Sequence, residues 1–344
     1  MPDPHVPPDQ AAMSDPGPTA ASRPPRDLDC LLCGTCVADI LVRPVPLTAP
    51  VGGGRLLHVD PITVTTGGVV CNTGIAMRRL GMRVAAASLV GGDLWGDVIR
   101  AHLVAEEIDI TALDRHPTLA TSTTAALIDP GGERSFAHHV GAPQALDLGF
   151  LRRHVGHFAR ARFAVLGYFG LLPGLEPVFG EAVAVIRDAG CRVAVETAGS
   201  GGAIEQLAPA LPFIDLFVPS LDEAIQQTGL TEPRDILACY RDHGAPGIVG
   251  VKLGARGVVL SPAAEEWLEL PCVMPPGPVA DTTGAGDSLL AGLLTGLLQE
   301  MPLADAGRLG AATAACCITG IGATAGLRSF DDTCRLAGVH RTQG

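Results

Sequence analysis

From about residue 28 onward, short apolar runs alternate with longer stretches whose apolar positions recur at helical spacing. The short runs are Cys30 to Cys36, Val84 to Val90, Phe163 to Leu166, Arg192 to Val195, Leu216 to Val218, Gly247 to Lys252 and Val258 to Leu260. Their length and apolar content predict buried strands. The amphipathic stretches Thr73 to Leu80, Trp95 to Glu106, Val178 to Ala189 and Leu221 to Thr228 read as helices. This alternation predicts an α/β fold, a doubly wound and mostly parallel sheet flanked by helices, with ligands at the carboxyl ends of the strands.

Two stretches break the rhythm. Ile40 to Thr66 carries prolines, a Gly52-Gly53-Gly54 turn and alternating residues without a helical pattern. Ser122 to Val140 reads as a hairpin, Thr124 to Ile128 and Ser135 to Val140 joined by Pro130-Gly131-Gly132-Glu133. Both suggest antiparallel strands outside the main sheet, forming a small β lid from about residues 40–66 and 119–141. A lid keeps water from a reactive intermediate or donor. Its free strand edges suit pairing of two lids in a homodimer. His138 and His139 are adjacent on a strand and face opposite ways, which argues against a two-histidine metal site. Residues 1–26, rich in Pro, Ala, Ser and Asp, read as a disordered leader without the basic start and apolar centre of a signal peptide. Residues 27–335 then form a single domain and 336–344 a tail.

The chain has 344 residues and a formal net charge of −12, with no basic stretch able to track a nucleic-acid backbone. The apolar segment Ser288 to Leu298 is too short to span a bilayer. Ten cysteines scatter through core-like segments, which suits a reducing cytoplasm better than a disulfide framework. Cys30, Cys33 and Cys36 invite a metal reading, but strand residues three apart point to opposite faces, so packing is expected. Lys252 is the single lysine and is followed by Leu253, which excludes a Walker-type phosphate loop. The first strand leads into Gly34-Thr35-Cys36-Val37-Ala38-Asp39, which lacks the Gly-x-Gly-x-x-Gly turn of a dinucleotide site and removes a dehydrogenase reading.

The chemistry concentrates in Asp281-Thr282-Thr283-Gly284-Ala285-Gly286-Asp287, which runs into the apolar segment from Ser288. If a helix begins there, the amides of Gly284, Ala285 and Gly286 and the positive helix end cradle an anion. Asp287 at the same place fits either a helix-capping carboxylate or a base that takes the proton of a hydroxyl attacking a phosphoryl group.

With these residues in view, the chain resembles the ribokinase-like (PfkB) family of carbohydrate and nucleoside kinases over roughly residues 28–330. Asp281 to Asp287 resembles the family's C-terminal motif; Gly67-Gly68, Asn72 and Leu80-Gly81 resemble its glycine-asparagine pattern. Val90-Gly91-Gly92-Asp93 with Gly96 follows in the expected order. The resemblance implies ATP-dependent phosphorylation of a sugar hydroxyl, with Asp287 as base and Gly284, Ala285 and Gly286 as anion hole. It implies that Asp39, Gly67, Gly68 and Asn72 hold the acceptor. On the residues alone, Asp39 also fits a turn cap and Asn72 a helix N-cap. Lys252, Gly254 and Gly257 resemble the nucleotide-binding turn and Gly322 the segment beside the adenine. Asp281 and Thr283 would lie by a monovalent cation such as K⁺.

Departures from the pattern are also present. The family's Asn-x-x-Glu, tied to Mg²⁺ and phosphate, stands here as Ser220-Leu221-Asp222-Glu223, which keeps only Glu223, an indirect Mg²⁺ contact. Val69-Val70-Cys71 replaces a Lys-Gly-Ala. Gly167-Tyr168-Phe169 lacks the glutamate that ribokinases place near the sugar, which leaves Tyr168 and Phe169 to stack on an acceptor or pack under the lid. The expected partner is a small sugar, with neither nucleic acid nor membrane; a nucleoside kinase and a non-catalytic binding protein on the same fold are the alternatives.

Overall fold

The computed structural model describes residues 26–48, 54, 56–199 and 201–340. The expected leader up to residue 25 and the Gly52-Gly53 part of the glycine turn lie outside the described residues. Of the expected tail, residues 336 and 337 belong to the last helix and 341–344 are not described.

Thirteen strands form among the described residues: β1 Leu28–Gly34, β2 Val37–Val42, β3 Thr63–Gly67, β4 Val84–Gly91, β5 Asp109–His116, β6 Thr123–Ile128, β7 Arg134–His139, β8 Ala161–Gly167, β9 Arg192–Glu196, β10 Leu216–Phe217, β11 Ile248–Lys252, β12 Val258–Ser261 and β13 Leu268–Leu270. The α-helices are α1 Gly68–Arg79, α2 Leu94–Ala105, α3 Leu148–Arg153, α4 Val155–Arg160, α5 Phe179–Asp188, α6 Ile204–Leu207, α7 Leu221–Thr228, α8 Pro233–Asp242, α9 Ala285–Leu298, α10 Leu303–Cys317 and α11 Phe330–Ala337.

Nine strands build the main sheet in the order β13-β12-β11-β10-β9-β8-β1-β4-β5. All its neighbours are parallel except β11–β12 and β12–β13. Its central strands are apolar on both faces because helices cover both, as parallel sheets require. One core layer joins Cys30, Leu32, Val165 and Leu216 to α1, α9 and α10; the opposite layer joins Cys33, Leu166 and Val195 to α3, α5 and α8. Cys30 and Cys33 therefore pack on opposite sides, as strand alternation demands. The expected strand over Cys30 to Cys36 ends sooner, at Gly34; Cys36 sits in the turn into β2, its thiol 3.4 Å from Ser88 Oγ.

A second, four-stranded sheet, β3-β2-β6-β7, stands beside the first. It differs from the expected antiparallel lid in one respect: β2 and β6 pair in parallel, while β2–β3 and β6–β7 are antiparallel. It also begins at Val37 rather than Ile40, so only the two residues Thr35 and Cys36 separate it from β1. The chain enters the lid from the carboxyl end of β1 and returns from β3 straight into α1. Strand order reverses between β1 and β8, the position where open α/β sheets leave a crevice for ligands.

Candidate active site

Four strand ends and one helix start converge under the lid. Thr35 follows β1, Tyr168 follows β8, Glu196 ends β9 and Lys252 ends β11. Asp287 lies in the first turn of α9, a helix apolar almost all round and therefore buried against α1 and α10. Gly284 caps that helix at φ +77°, and a Cβ there would lie 2.5 Å from the Ala323 Cβ, so the turn requires glycine. The amides of Gly284 and Gly286 have no partner among the described residues, whereas the Ala285 amide is 3.3 Å from Thr282 O. Of the three amides expected in the anion cradle, two stand open.

Asp287 is 6% exposed. Its Oδ2 accepts a hydrogen bond from Asn72 Nδ2 at 2.9 Å and from Tyr168 Oη at 2.6 Å. Burial raises the Asp287 carboxyl above its ordinary range, and these two donors together with Lys252 restrain the rise. The helix cap itself is Gly284, and Asp287 has no cap hydrogen bond. Asn72 likewise lies inside α1, whose cap is Gly67, so its amide is free for the site.

Under the lid, against the Asn72 and Tyr168 that bind this carboxylate, is a cavity of about 410 Å³. Asp39, Gly67, Gly68 and Asn72, the expected acceptor residues, all line it, together with Thr35, Tyr168 and the inward face of the lid. A Cβ on Gly67 would lie 2.2 Å from Asp39 Oδ2, so a larger residue there would displace that carboxylate. Burial pushes the Asp39 carboxyl up to about 6, against a hydrogen bond from Thr124. Two buried polar atoms, Thr35 Oγ1 and Asn72 Oδ1, have no partner. Such atoms are costly unless a ligand or water satisfies them.

A second, more open cavity of about 430 Å³ is lined by Asp287 itself, by Thr282, Gly284, Ala285 and Gly286 of the turn before it, and by Glu196, Ser220, Glu223, Lys252 and Gly254. Tyr168 lines both cavities. Lys252, 8% exposed, is ion-paired with Glu196, 4% exposed. A Cβ on Gly286 would lie 3.2 Å from Lys252 Nζ, so the ammonium stands beside the cradle. Burial pulls the Lys252 ammonium down, but Glu196, Glu223 and Asp287 together outweigh it and hold the ammonium charged; burial pushes Glu196 up against the pull of Lys252. Glu196 Oε2 has no partner.

Not every expected residue falls where its motif implied. Gly254 lines the second cavity, but Gly257 lines neither, packing against the Leu270 carbonyl. Gly322, expected beside the adenine, lines the lid cavity and not the second one, its amide 2.7 Å from Asp281 Oδ2. Ser220 and Glu223 form a capping box on α7: Ser220 N donates to Glu223 Oε2 at 2.8 Å and Glu223 N to Ser220 Oγ at 3.3 Å. Asp281 Oδ1 accepts from Thr283 N at 2.6 Å and is ion-paired with Arg134, which also donates to Thr283 Oγ1. The side chains of Asp281 and Thr283, the residues expected beside a monovalent cation, are thus already held by a guanidinium. Phe169 packs on Phe179 with ring centroids 4.3 Å apart, away from the cavities. The sequence reading missed Glu196, Arg134 and the role of Tyr168; a glutamate at a strand's carboxyl end was the signal for the first.

Among the described residues there is no cluster of three or more His, Cys, Asp or Glu side chains able to hold a metal alone. Magnesium needs no such cage, since it keeps several waters and rides on phosphates. The unpartnered Glu196 Oε2 and the nearby Glu223 fit contacts through such waters. No helix among the described residues is long and apolar enough to cross a membrane.

The chain is 26% identical over 306 residues to a ribokinase of Haemophilus influenzae, covering 87% of this chain and 95% of that protein. It is 30% identical over 260 residues to a 1-phosphofructokinase of Rhodobacter capsulatus, covering 72% and 78%. The fold matches that of an Arabidopsis thaliana ribokinase solved with ribose and ATP, with a TM-score of 0.76 at 20% identity over 91% of this chain and 99% of the other. The pattern of the pfkB family carbohydrate kinases matches residues 35–329. The chain therefore belongs to the PfkB family of sugar and nucleoside kinases, phosphotransferases that act on a hydroxyl group.

Proposed function

We propose that the protein transfers the γ-phosphoryl group of ATP to a hydroxyl of a sugar held under the lid. The observation that carries this reading is the position of Asp287: a buried carboxylate that lines the second cavity beside an open anion cradle and is hydrogen-bonded to Asn72 and Tyr168, which line the lid cavity. Its Oδ2 is occupied by Asn72 and Tyr168, which leaves Oδ1 to accept the proton of the attacking hydroxyl.

In this reading the acceptor's hydroxyls satisfy the unpartnered Thr35 Oγ1 and Asn72 Oδ1, and Asp39 accepts two further hydroxyl hydrogens. The open amides of Gly284 and Gly286 and the ammonium of Lys252 stabilise charge on the transferring phosphoryl oxygens. Magnesium, when bound with the nucleotide, neutralises phosphate charge; Glu196 and Glu223 are the residues that would hold it through water. The lid closes the acceptor side against water, which competes as an acceptor. The exposed edge strands β3 and β7 support the further reading that two lids pair in a homodimer, which sedimentation velocity tests.

A nucleoside acceptor is the second reading. It is favoured by the apolar part of the lid cavity, where Leu41, Ala126, Ile128, Phe136, Val140 and Leu171 offer a surface for a base.

The test is ADP release with ATP, Mg²⁺ and K⁺ across pentoses, hexoses, sugar acids, phosphosugars and nucleosides. Turnover with a sugar supports the first reading and turnover with a nucleoside only the second. With the active acceptor, Asp287→Asn is expected to lower turnover by about 10²–10⁴-fold while acceptor binding persists. Unchanged turnover in that variant removes the assignment.

A further inference from the structure

Arg134 begins β7, an edge strand of the lid, yet its guanidinium reaches the Asp281–Gly284 loop. One terminal nitrogen is ion-paired with Asp281 Oδ1 and the other donates to Thr283 Oγ1. Both charged side chains are largely withdrawn from solvent, Arg134 to 16% and Asp281 to 3% exposure. The remaining Asp281 lone pairs serve the amides of Thr283 and Gly322. The same loop continues into Gly284, whose open amide begins the anion cradle. Among the described residues, this is the charged link between the lid and that loop.

A monovalent cation fits poorly beside these oxygens. Asp281 and Thr283 already face a full positive charge, and a second cation there would be repelled by the guanidinium in a site that water screens weakly. The pairing with Asp281 also neutralises Arg134, which leaves it poorly suited to recognise an anionic substituent on the acceptor.

We propose that Arg134 is a positioning residue that latches the lid to the Asp281–Gly284 loop and fills, from within the chain, the place of a monovalent cation. A planar fork with several donors suits this task, because it bridges carboxylate and hydroxyl at once in a fixed geometry. Closing the lid over an acceptor then also completes the loop that presents the anion cradle. The proposal rests on the kinase reading of the site, so its test has one arm that needs no turnover.

In that arm, amide hydrogen exchange is measured on the full chain without acceptor, for wild type, Arg134→Met and Arg134→Lys, each checked for an intact melting transition. Exchange at Thr283, Gly322 and the β7 amides is expected to speed up at least tenfold in Arg134→Met, with Arg134→Lys in between. Unchanged exchange in both variants overturns the latch. If Arg134→Met does not melt cooperatively, Arg134→Lys decides alone: faster exchange supports the latch and wild-type exchange overturns it.

In the second arm, turnover with the acceptor found above is compared in K⁺, Na⁺ and tetramethylammonium chloride at equal ionic strength. Wild-type rates are expected to agree within twofold, and Arg134→Met to lose at least tenfold in kcat with K⁺ restoring part of it. Tenfold activation of the wild type by K⁺, or a wild-type rate in Arg134→Met, overturns the cation role. Silence with every acceptor counts against the kinase reading and leaves the exchange result to judge the latch.

Discussion

Tyr168 and Asn72 donate to one and the same oxygen of Asp287, at 2.6 and 2.9 Å, although they come from different elements on either side of the carboxylate. Both bonds favour the ionised form, which burial alone would disfavour. Removing the phenol in Tyr168→Phe deletes a charge-assisted bond of about 1.5–3 kcal/mol. Because the lost bond stabilised the anion, the carboxyl rises further. The acid limb of the kcat–pH profile should therefore move upward by roughly one to two units, with kcat on the alkaline plateau changing much less. A profile superimposable on the wild type would mean that Asp287 is not the group titrating.

A different pH effect belongs to Asp39. Its carboxyl is raised by burial to about 6, from an ordinary 3.8. As pH falls through about 6, Asp39 takes up a proton, loses its charge and turns one of its two accepting oxygens into a donor, so the acceptor KM should rise on the acid side. For the ligand-free fold the sign is opposite. A raised native pKa contributes stability present below the unfolded value and lost as pH rises through about 6. Asp39→Asn should remove both dependences, weakening acceptor binding at pH 7 while raising the melting temperature there. Acceptor KM and melting temperature followed from pH 5 to 8 check both, and a pH-independent wild-type KM rejects the role of Asp39.

How much of this was legible beforehand depended on burial and on distance along the chain. β1, β4, β8, β9 and β11 lie between two helix layers, so both faces are apolar and the runs stand out. Edge strand β5 reads Asp-Ile-Thr-Ala-Leu-Asp-Arg-His, with polar positions facing solvent, and β13 is only three residues long; neither gave a pattern. Asp287, Asn72 and Asp39 could be singled out because their motifs are local. Arg134 and Glu196 were not, because each acts on a partner far along the sequence, Thr283 and Lys252, and periodicity carries no such distances. Ser220 is different: Ser-x-x-Glu before an amphipathic run is the spacing of a capping box, and that signal was present in the sequence.

The capping box separates two roles of neighbouring residues. Ser220→Ala removes the cap oxygen and should cost about 1 kcal/mol of stability while leaving the Mg²⁺ requirement unaltered. Glu223→Gln keeps an acceptor for the Ser220 amide but removes the charge. It should melt near wild type yet need several-fold more Mg²⁺ for half-maximal turnover, if Glu223 helps to hold the ion through water. Melting curves with Mg²⁺ titrations of turnover distinguish the two, and a normal Mg²⁺ titration in Glu223→Gln would confine Glu223 to capping.

The Lys252–Glu196 pair tests whether a buried charge serves the fold or the reaction. Both side chains are almost fully enclosed, and Glu196 Oε2 already lacks a partner. Lys252→Met alone strands a buried carboxylate and should cost about 3–5 kcal/mol. The double variant Lys252→Met, Glu196→Gln removes both charges and should recover most of that stability. Turnover should not recover with it, because the ammonium beside Gly286 is then still missing from the phosphoryl oxygens. Lys252 is the chain's single lysine, so an amine-selective reagent reports on one side chain besides the amino terminus; ATP should protect it. If turnover returns together with stability, Lys252 is a structural partner of Glu196 and the phosphoryl group is held by the amides of the α9 turn alone.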